Sequence, residues 1–133
     1  MLRNMTATHY LIVLIGVGLI ALGGWQYYLN IQPSEYDELA QCIAESGATF
    51  YGAFWCPHCS AQKEMFGSAA ELLPYVECSE ADRQTQTAVC AEAGITGYPT
   101  WELNDGTRLS GAQTMARLAE ATNCQLPEYV TNI

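Results

Sequence analysis

Residues 50–59, FYGAFWCPHC, carry two cysteines that flank Pro57 and His58 and follow an aromatic and apolar run broken by one glycine. The run, residues 48–54, is rich in β-forming residues and predicts a strand that is buried on both faces. Because proline is tolerated in the first turn of a helix, Pro57 predicts that a helix begins there. The sequence therefore places a Cys-x-x-Cys motif at a strand-to-helix junction, with Cys56 at the amino end of the helix.

Redox centres, zinc sites and haem attachment sites all use a Cys-x-x-Cys motif. Haem attachment requires a histidine directly after the second cysteine, where this chain has Ser60. A tetrahedral zinc site usually needs a second closely spaced pair of ligands. The other histidine, His9, lies in an apolar segment. The other cysteines are widely spaced: Cys42, Cys78, Cys90, Cys124. The spacing therefore favours a redox pair, with no metal and no bound cofactor.

The position of each cysteine predicts its role in such a pair. A cysteine at a helix amino terminus faces unsatisfied backbone N–H groups and the positive end of the helix dipole, which stabilise its thiolate. His58 adds to this effect when it is protonated or donates a hydrogen bond. Cys56 is thus the predicted nucleophile, and Cys59, one turn further and more enclosed, is the predicted resolving thiol.

The rest of the chain reads as alternating helices and strands. The predicted elements are a helix over 34–47, the strand over 48–54, a helix from 57 that bends at Gly67 and stops at Pro74, a strand over 75–78, a helix over 85–94, a hairpin over 99–111 and a helix over 112–122. This order predicts an α/β domain in which a mixed sheet is covered by helices on both faces.

These motifs resemble the thioredoxin superfamily, through Trp55-Cys56-Pro57-His58-Cys59 after a buried strand and Tyr98-Pro99-Thr100 about forty residues later. The resemblance becomes more specific when further segments are included: QKEMFG at 62–67, YVEC at 75–78, Cys90, GITGYPTWEL at 94–103 and Gly111. Together they are similar to the thioredoxin-like domain associated with bacterial and plant vitamin K epoxide reductase homologues. The similarity covers about residues 34–123.

The resemblance implies a thioredoxin-like three-layer fold and an exported thiol–disulfide oxidoreductase. Such a protein passes electrons from substrate protein thiols to a membrane quinone reductase of the vitamin K epoxide reductase type, with a redox-active disulfide in place of a cofactor. It implies catalytic roles for Cys56, Cys59, His58, Pro57 and Pro99, with Tyr98–Pro99 as a cis-proline loop. Substrate binding is implied for Trp55, Tyr98 and Thr100, and a structural disulfide for Cys78 and Cys90.

Three features bear on how far this resemblance extends. Thioredoxins usually have a buried acid six residues before the first cysteine, where this chain has Phe50. The Pro57-His58 dipeptide is also found in the strongly oxidising DsbA-type proteins, which implies an oxidant. Only one segment is long enough to span a membrane, so a quinone-reactive partner would be a separate polypeptide.

Sequence leaves the pairing of the remaining two cysteines open, because six cysteines permit fifteen pairings. Cys42 lies among apolar neighbours on the first predicted helix of the domain and could be a buried free thiol. Alternatively, Cys42 and Cys124 form a third disulfide.

Residues 9–29 form an apolar segment of the length that crosses a bilayer, with Trp25 and two tyrosines at one interface. We interpret it as a retained transmembrane anchor; the alternative is a cleaved signal peptide with Leu11–Leu22 as its apolar core. Arg3 precedes the segment and no Lys or Arg follows until Lys63, which predicts a cytoplasmic amino terminus over 1–8. A linker over 30–33 and the domain over 34–133 would then lie in the periplasm or an equivalent lumen.

The distribution of charged residues limits the classes of partner that the sequence predicts. All 14 acidic residues and four of the five basic residues follow residue 30, in a chain with a formal net charge of −9. Such a surface repels phosphate backbones, so nucleic acid is not an expected partner. Two other functions would use the same motif: an exported thiol reductase for cytochrome or copper-site maturation, and a metal-binding or chaperone module using Cys56, His58 and Cys59.

Overall fold

The computed structural model describes residues 7–30 and 34–128. Most of the predicted cytoplasmic segment, residues 1–6, therefore lies outside the described residues, as do 31–33 of the predicted linker and 129–133 of the predicted domain. The chain divides into two compact units, Met1–Gln32 and Pro33–Ile133.

In the first unit, the described residues 7–30 form one helix, α1 (Ala7–Asn30). Within it, the 22 residues Thr8–Leu29 contain an 18-residue stretch with a mean hydropathy of 1.7 and are long and apolar enough to cross a membrane. At a rise of about 1.5 Å per residue, a helix of this length matches the ~30 Å hydrocarbon core of a bilayer. Signal sequences near an amino terminus share this length and composition.

The second unit is built on a four-stranded mixed sheet. Its strands are β1 (Thr49–Gly52), β2 (Tyr75–Glu77), β3 (Thr100–Glu102) and β4 (Arg108–Ser110). Their order is β2-β1-β3-β4, with β1 parallel to β2 and antiparallel to β3, and β3 antiparallel to β4. Phe50 at the centre lies opposite Tyr75 on one side and Trp101 on the other.

Within residues 34–128, four assigned α-helices and one 3₁₀ helix accompany the sheet. They are α2 (Asp37–Glu45), α3 (Pro57–Phe66), the 3₁₀ helix Gly67–Leu72, α4 (Ala88–Glu92) and α5 (Met115–Thr122). The predicted α/β fold, with its mixed sheet and helices, is confirmed. The bend predicted at Gly67 is present: its φ of 58° ends α3, and the chain continues as the 3₁₀ helix.

Several elements are shorter than predicted, and two of the helices begin later than predicted. Ser34 does not cap α2: its hydroxyl donates to the Phe66 carbonyl, and α2 begins at Asp37. Helix α5 begins at Met115 rather than 112, since the Thr114 hydroxyl accepts from the Arg117 N–H and caps it there.

One face of the sheet carries the larger part of the core. Phe50 stacks on Trp101 with ring centroids 4.6 Å apart, and both side chains are fully buried. Buried residues of α2, α3 and α5 pack in the same cluster: Leu39, Ala40, Ile43, Cys59, Phe66, Met115, Leu118, Ala119. Successive residues of a strand face opposite sides of the sheet, so Tyr51, next to Phe50, lies on the other face. There it packs in a second, smaller cluster with Ile95, Cys78 and the α4 residue Cys90.

Two disulfides crosslink the domain, one on each face of the sheet. Cys42 of α2 is bonded to Cys124, which follows α5, and Cys78 is bonded to Cys90. Asn123 ends α5 in the left-handed conformation, and the Cys124 N–H donates to the Ala119 carbonyl at 2.8 Å. This turn brings Cys124 back toward α2, so Cys42 is not a free thiol.

Candidate functional site

The Cys-x-x-Cys motif lies where β1 leads into α3. Cys56 is the N-cap of α3 and Pro57 occupies the first turn. The Cys56 carbonyl accepts hydrogen bonds from the N–H groups of Cys59 and Ser60, both at 3.1 Å, and its own N–H donates to Ala53 at 2.9 Å. The local backbone therefore fixes Cys56 at the helix terminus, as the proline predicted.

Both cysteines of the motif are free thiols, whereas the other four are disulfide-bonded. Cys56 is 5% exposed and Cys59 is 2% exposed. Burial is the largest of the effects that raise the pKa of the Cys59 thiol to about 12, and a hydrogen bond with Cys56 and the charge of Cys56 act in the same direction. A hydrogen bond with the Ala53 backbone and the charge of Lys63 oppose them. The Cys59 thiol is therefore protonated at neutral pH, which agrees with its predicted role as the resolving thiol rather than the nucleophile.

The loop before β3 faces Cys56. The Tyr98–Pro99 peptide bond is cis. The Cys56 thiol points at the Tyr98 carbonyl, with 3.7 Å between sulfur and oxygen. Pro99 is fully buried, and the Thr100 hydroxyl donates to the Gly97 carbonyl at 2.8 Å. The structure thus brings Tyr98 and Pro99 to the sulfur, while the Thr100 side chain is turned into the loop.

An aromatic surface surrounds the motif. Phe54 and Trp55 are 49% and 43% exposed, and His58 is also exposed. The Trp55 indole N–H donates to the Ser79 hydroxyl at 2.7 Å, and its ring meets Tyr98 edge-on at 6.2 Å. Large exposed rings beside a reactive sulfur provide a surface on which another polypeptide could pack.

Gly52 is a site residue that the sequence signalled only as the lone glycine in an aromatic run. A β-carbon at this position would lie 3.0 Å from the Cys59 sulfur and 2.7 Å from the Tyr75 ring. Only a residue without a side chain allows both groups to lie this close to β1.

Lys63, Tyr75 and Glu77 form a half-buried polar group beside Cys59, which we call the Tyr75 cluster. The Lys63 ammonium lies 3.3 Å from the centre of the Tyr75 ring. The Tyr75 hydroxyl donates to Glu77 Oε2 at 2.7 Å. Burial and the hydrogen bond to Glu77 raise the pKa of Tyr75. Lys63 lies four residues after Cys59 in the sequence, whereas Tyr75 and Glu77 are distant from the motif and no local pattern pointed to them.

Gln62 is a second polar residue that pattern analysis missed. Its side chain is fully buried in α3. Its amide nitrogen donates to the Gln113 carbonyl at 3.2 Å, and its oxygen accepts from the Gln113 N–H at 2.6 Å. The indole N–H of Trp101 also donates to it, at 3.4 Å. These bonds fix α3 against the segment before α5.

Within residues 7–30 and 34–128, no group of three or more His, Cys, Asp or Glu side chains is arranged to hold a metal ion.

Comparison with known proteins agrees with this architecture. Residues 30–124 match the thioredoxin family model. The chain belongs to the thioredoxin family. A thioredoxin domain with two free thiols at this position fits a thiol–disulfide oxidoreductase.

Two curated relatives carry names that describe thiol chemistry. Thiol-disulfide oxidoreductase LTO1 of Arabidopsis thaliana is 48% identical over 94 residues, which are 68% of this chain and 25% of that protein. Probable protein disulfide-isomerase ER-60 of Schistosoma mansoni is 29% identical over 97 residues, 70% of this chain and 20% of that protein. The chain thus spans about a quarter or less of each relative's length.

Proposed function

We propose that this thioredoxin domain is an extracytoplasmic thiol–disulfide oxidoreductase that introduces disulfide bonds into substrate proteins. The observation that carries the proposal is the pair of free, contacting thiols at the start of α3, facing the Tyr98–Pro99 loop. The name of the LTO1 relative, which describes the same chemistry, supports it.

The proposed cycle begins with the Cys56–Cys59 disulfide. A substrate thiolate attacks the Cys56 sulfur, the bond to Cys59 breaks and its electron pair stays on Cys59, which takes up a proton. A second substrate thiolate then attacks the mixed disulfide, and Cys56 leaves as a thiolate. The substrate gains a disulfide, and the pair is reduced by two electrons.

The direction of electron flow depends on how strongly the reduced pair is stabilised. The potentials of thioredoxin and DsbA differ by about 150 mV, or roughly 7 kcal/mol. A charge at a helix terminus is worth about 0.3 to 2 kcal/mol, so the start of α3 supplies only part of this difference. Hydrogen bonds to the Cys56 thiolate, including those from an adjacent His58, would supply more.

The same proposal places the domain outside the cytoplasm on the α1 anchor. The apolar span Thr8–Leu29 supports an anchor, and two disulfides suit an oxidising compartment. The reduced pair would be reoxidised by a membrane quinone reductase of the vitamin K epoxide reductase type, which the sequence resemblance implies. An anchored domain would meet such a partner at a high effective concentration.

Trapping tests this proposal. In the full-length Cys59→Ala variant, expressed in membranes, the Cys56 thiolate can attack a disulfide of the partner or of an exported protein, and one sulfur of that disulfide leaves as a thiolate. Without Cys59 no second thiol of the pair resolves the resulting mixed disulfide, so mixed disulfides should accumulate. The matched control is Cys56→Ala, which should trap nothing. Capture of exported cysteine proteins together with a quinone-linked membrane protein would support the proposal, and an absence of mixed disulfides in the Cys59→Ala variant would contradict it.

A further inference from the structure

Cys59 is a buried thiol that must gain a proton whenever its disulfide opens and lose it when the disulfide re-forms. A buried group exchanges protons slowly unless a side chain connects it to solvent. The residue six positions before Cys56, where thioredoxins usually have an acid, is Phe50. Its side chain is fully buried in the apolar core and has no group that can give or take a proton. The structure therefore has to supply this connection from another element.

We infer that the Tyr75 hydroxyl, oriented by Glu77 and flanked by Lys63, is the group through which Cys59 exchanges its proton. This inference rests on the proposed redox cycle and adds a residue to it. Tyr75 is the proton-exchange residue, while Glu77 and Lys63 position it and balance its charge.

The first step of the argument is the contact at Gly52. A β-carbon there would lie 3.0 Å from the Cys59 sulfur and 3.4 Å from the Tyr75 hydroxyl oxygen. The sulfur and the phenol oxygen therefore border the same small space over β1, within the span that one bridging water molecule can cover. The parallel pairing of β1 with β2 keeps Gly52 and Tyr75 on the same face of the sheet.

The second step is the fixed orientation of Glu77. Its Oε1 accepts from the backbone N–H groups of Ser79 at 2.9 Å and Phe54 at 3.2 Å, while Oε2 accepts from the Tyr75 hydroxyl. Two backbone donors hold one carboxylate oxygen, so the other remains aimed at the phenol. Such a carboxylate can take the phenolic proton as the phenol receives another.

The third step is the path to solvent and the charge along it. Tyr75 lines a surface depression together with Lys63 and Glu71. Lys63 lies one turn after Cys59 on the same face of α3, and its ammonium lies over the Tyr75 ring. The charged and titratable groups around the phenol are thus Lys63, Glu71, Glu77 and the two thiols, and the one cation among them offsets negative charge during transfer.

The proton balance is as follows. When a substrate thiolate opens the disulfide, the electron pair stays on the Cys59 sulfur, which takes the Tyr75 proton, and the phenol is reprotonated from solvent through the Glu77 carboxyl. When a disulfide of the partner reoxidises the pair, the Cys59 proton moves to the Tyr75 oxygen as the phenolic proton passes to Glu77.

A packing role for Tyr75 must be separated from this one. Its ring meets Phe50 edge-on at 5.2 Å, so Tyr75 also fills the core. Tyr75→Phe keeps the ring and removes only the hydroxyl. The matched control is Tyr51→Phe, which makes the same change on the neighbouring strand but in the cluster on the opposite face.

The experiment measures the reaction of the oxidised full-length protein with glutathione by stopped-flow Trp fluorescence, over a range of pH in H₂O and D₂O. Tyr75→Phe should slow opening of the disulfide about a hundredfold, the lower end of the contribution of positioned acid–base groups, and abolish the solvent isotope effect. Tyr51→Phe should react like the unmodified protein. Glu77→Gln, which keeps acceptors for the two backbone donors, should slow the reaction and shift its pH profile.

An unchanged rate, pH profile and isotope effect in Tyr75→Phe would overturn the inference. A urea titration of each variant separates this result from a loss of folding. Failure of the proposed function has a different signature, since a strongly reducing potential would reverse the net direction of the cycle. Cys59 exchanges its proton in both directions, so the Tyr75 result stands independently of that potential.

Discussion

Two cysteine pairs lie on opposite faces of the same sheet and have different surroundings. Cys56 and Cys59 follow β1 and are free thiols with exposed aromatic rings and a polar cluster beside them. Cys78 and Cys90 are fully buried and bonded to each other. The two regions are adjacent, because the Cys78 N–H donates to the Gly52 carbonyl at 2.8 Å.

The comparison indicates that the surroundings of two cysteines, rather than their presence alone, distinguish the proposed redox pair from the disulfide-bonded pair. Cys56 is 5% exposed and lies between the exposed Trp55 and the Tyr98 carbonyl. Cys78 and Cys90 have no exposed surface and pack with Tyr51 and Ile95. The second pair nevertheless supports the first, because the Tyr98 hydroxyl contacts the Cys78 carbonyl at 3.4 Å.

The largest expected effect is loss of the nucleophile. Cys56→Ser should lower the rate of thiol oxidation by about 10⁴-fold or more, as removal of other enzymic nucleophiles does. The assay is oxidation of a reduced dithiol peptide by the full-length protein. Cys78→Ser with Cys90→Ser is the comparison, and it should retain exchange in molecules that remain folded; equal loss in both would erase the distinction between the pairs.

The two structural disulfides should stabilise the folded domain by different amounts, because they close chain segments of different length. Cys42–Cys124 closes a separation of 82 residues and Cys78–Cys90 one of 12. Chain entropy predicts losses of about 4 to 5 kcal/mol and about 3 kcal/mol when each is replaced by serines. Urea unfolding of the domain measures both, and a larger loss for the shorter bridge would show that native packing around Cys78 outweighs loop length.

Gly52→Ala should strain the reactive side of the sheet. The added methyl group would meet the Cys59 sulfur and the Tyr75 ring, with an expected cost of about 1 to 3 kcal/mol from overpacking. Urea unfolding gives the cost, and exchange kinetics should slow as Cys59 is displaced. Gly97→Ala is the control, because a β-carbon there meets nothing within 4 Å; equal stability of the two variants would contradict the proposed close approach.

The smallest effect concerns the pH dependence of Cys59. Its pKa is raised to about 12, mainly by burial, so the thiolate is scarce at neutral pH. At any pH below this pKa, a rise of one pH unit makes the thiolate about tenfold more abundant. In Cys56→Ser, the alkylation rate of Cys59 should rise tenfold per unit through alkaline pH without levelling near the ordinary cysteine value. In urea, where the chain is unfolded, the alkylation rate of Cys59 should reach a plateau near the ordinary cysteine pKa. A plateau near that pKa in the folded protein would contradict the argument that burial raises the pKa of Cys59.

Local patterns predicted the elements of the domain because helix spacing, turn residues and prolines are read within a few residues. Pro57 placed the start of α3, and the residues around Asp105 and Gly106 placed the β3–β4 hairpin. The bounds were less accurate, since Ser34 bonds across the fold to Phe66 instead of capping α2.

The contacts of the site depend on pairing between distant segments, which local patterns do not specify. Tyr75 reaches Cys59 only because the parallel register sets Phe50 opposite Tyr75. The Cys42–Cys124 bridge likewise depends on α5 packing against α2, which cysteine spacing alone could not select among the allowed pairings. The sequence showed Gly52 as an interruption of the aromatic run. The need for glycine at this position is explained only by the close approach of the Tyr75 ring and the Cys59 sulfur in the fold.

The reduction potential of the Cys56–Cys59 pair tests the central claim most directly. The full-length protein is equilibrated in glutathione redox buffers, and the fraction of the pair oxidised is measured by alkylation and mass spectrometry, with the two structural disulfides kept intact. We predict a potential closer to the about −120 mV of DsbA than to the about −270 mV of thioredoxin. A value at or below that of thioredoxin would contradict the proposed oxidase.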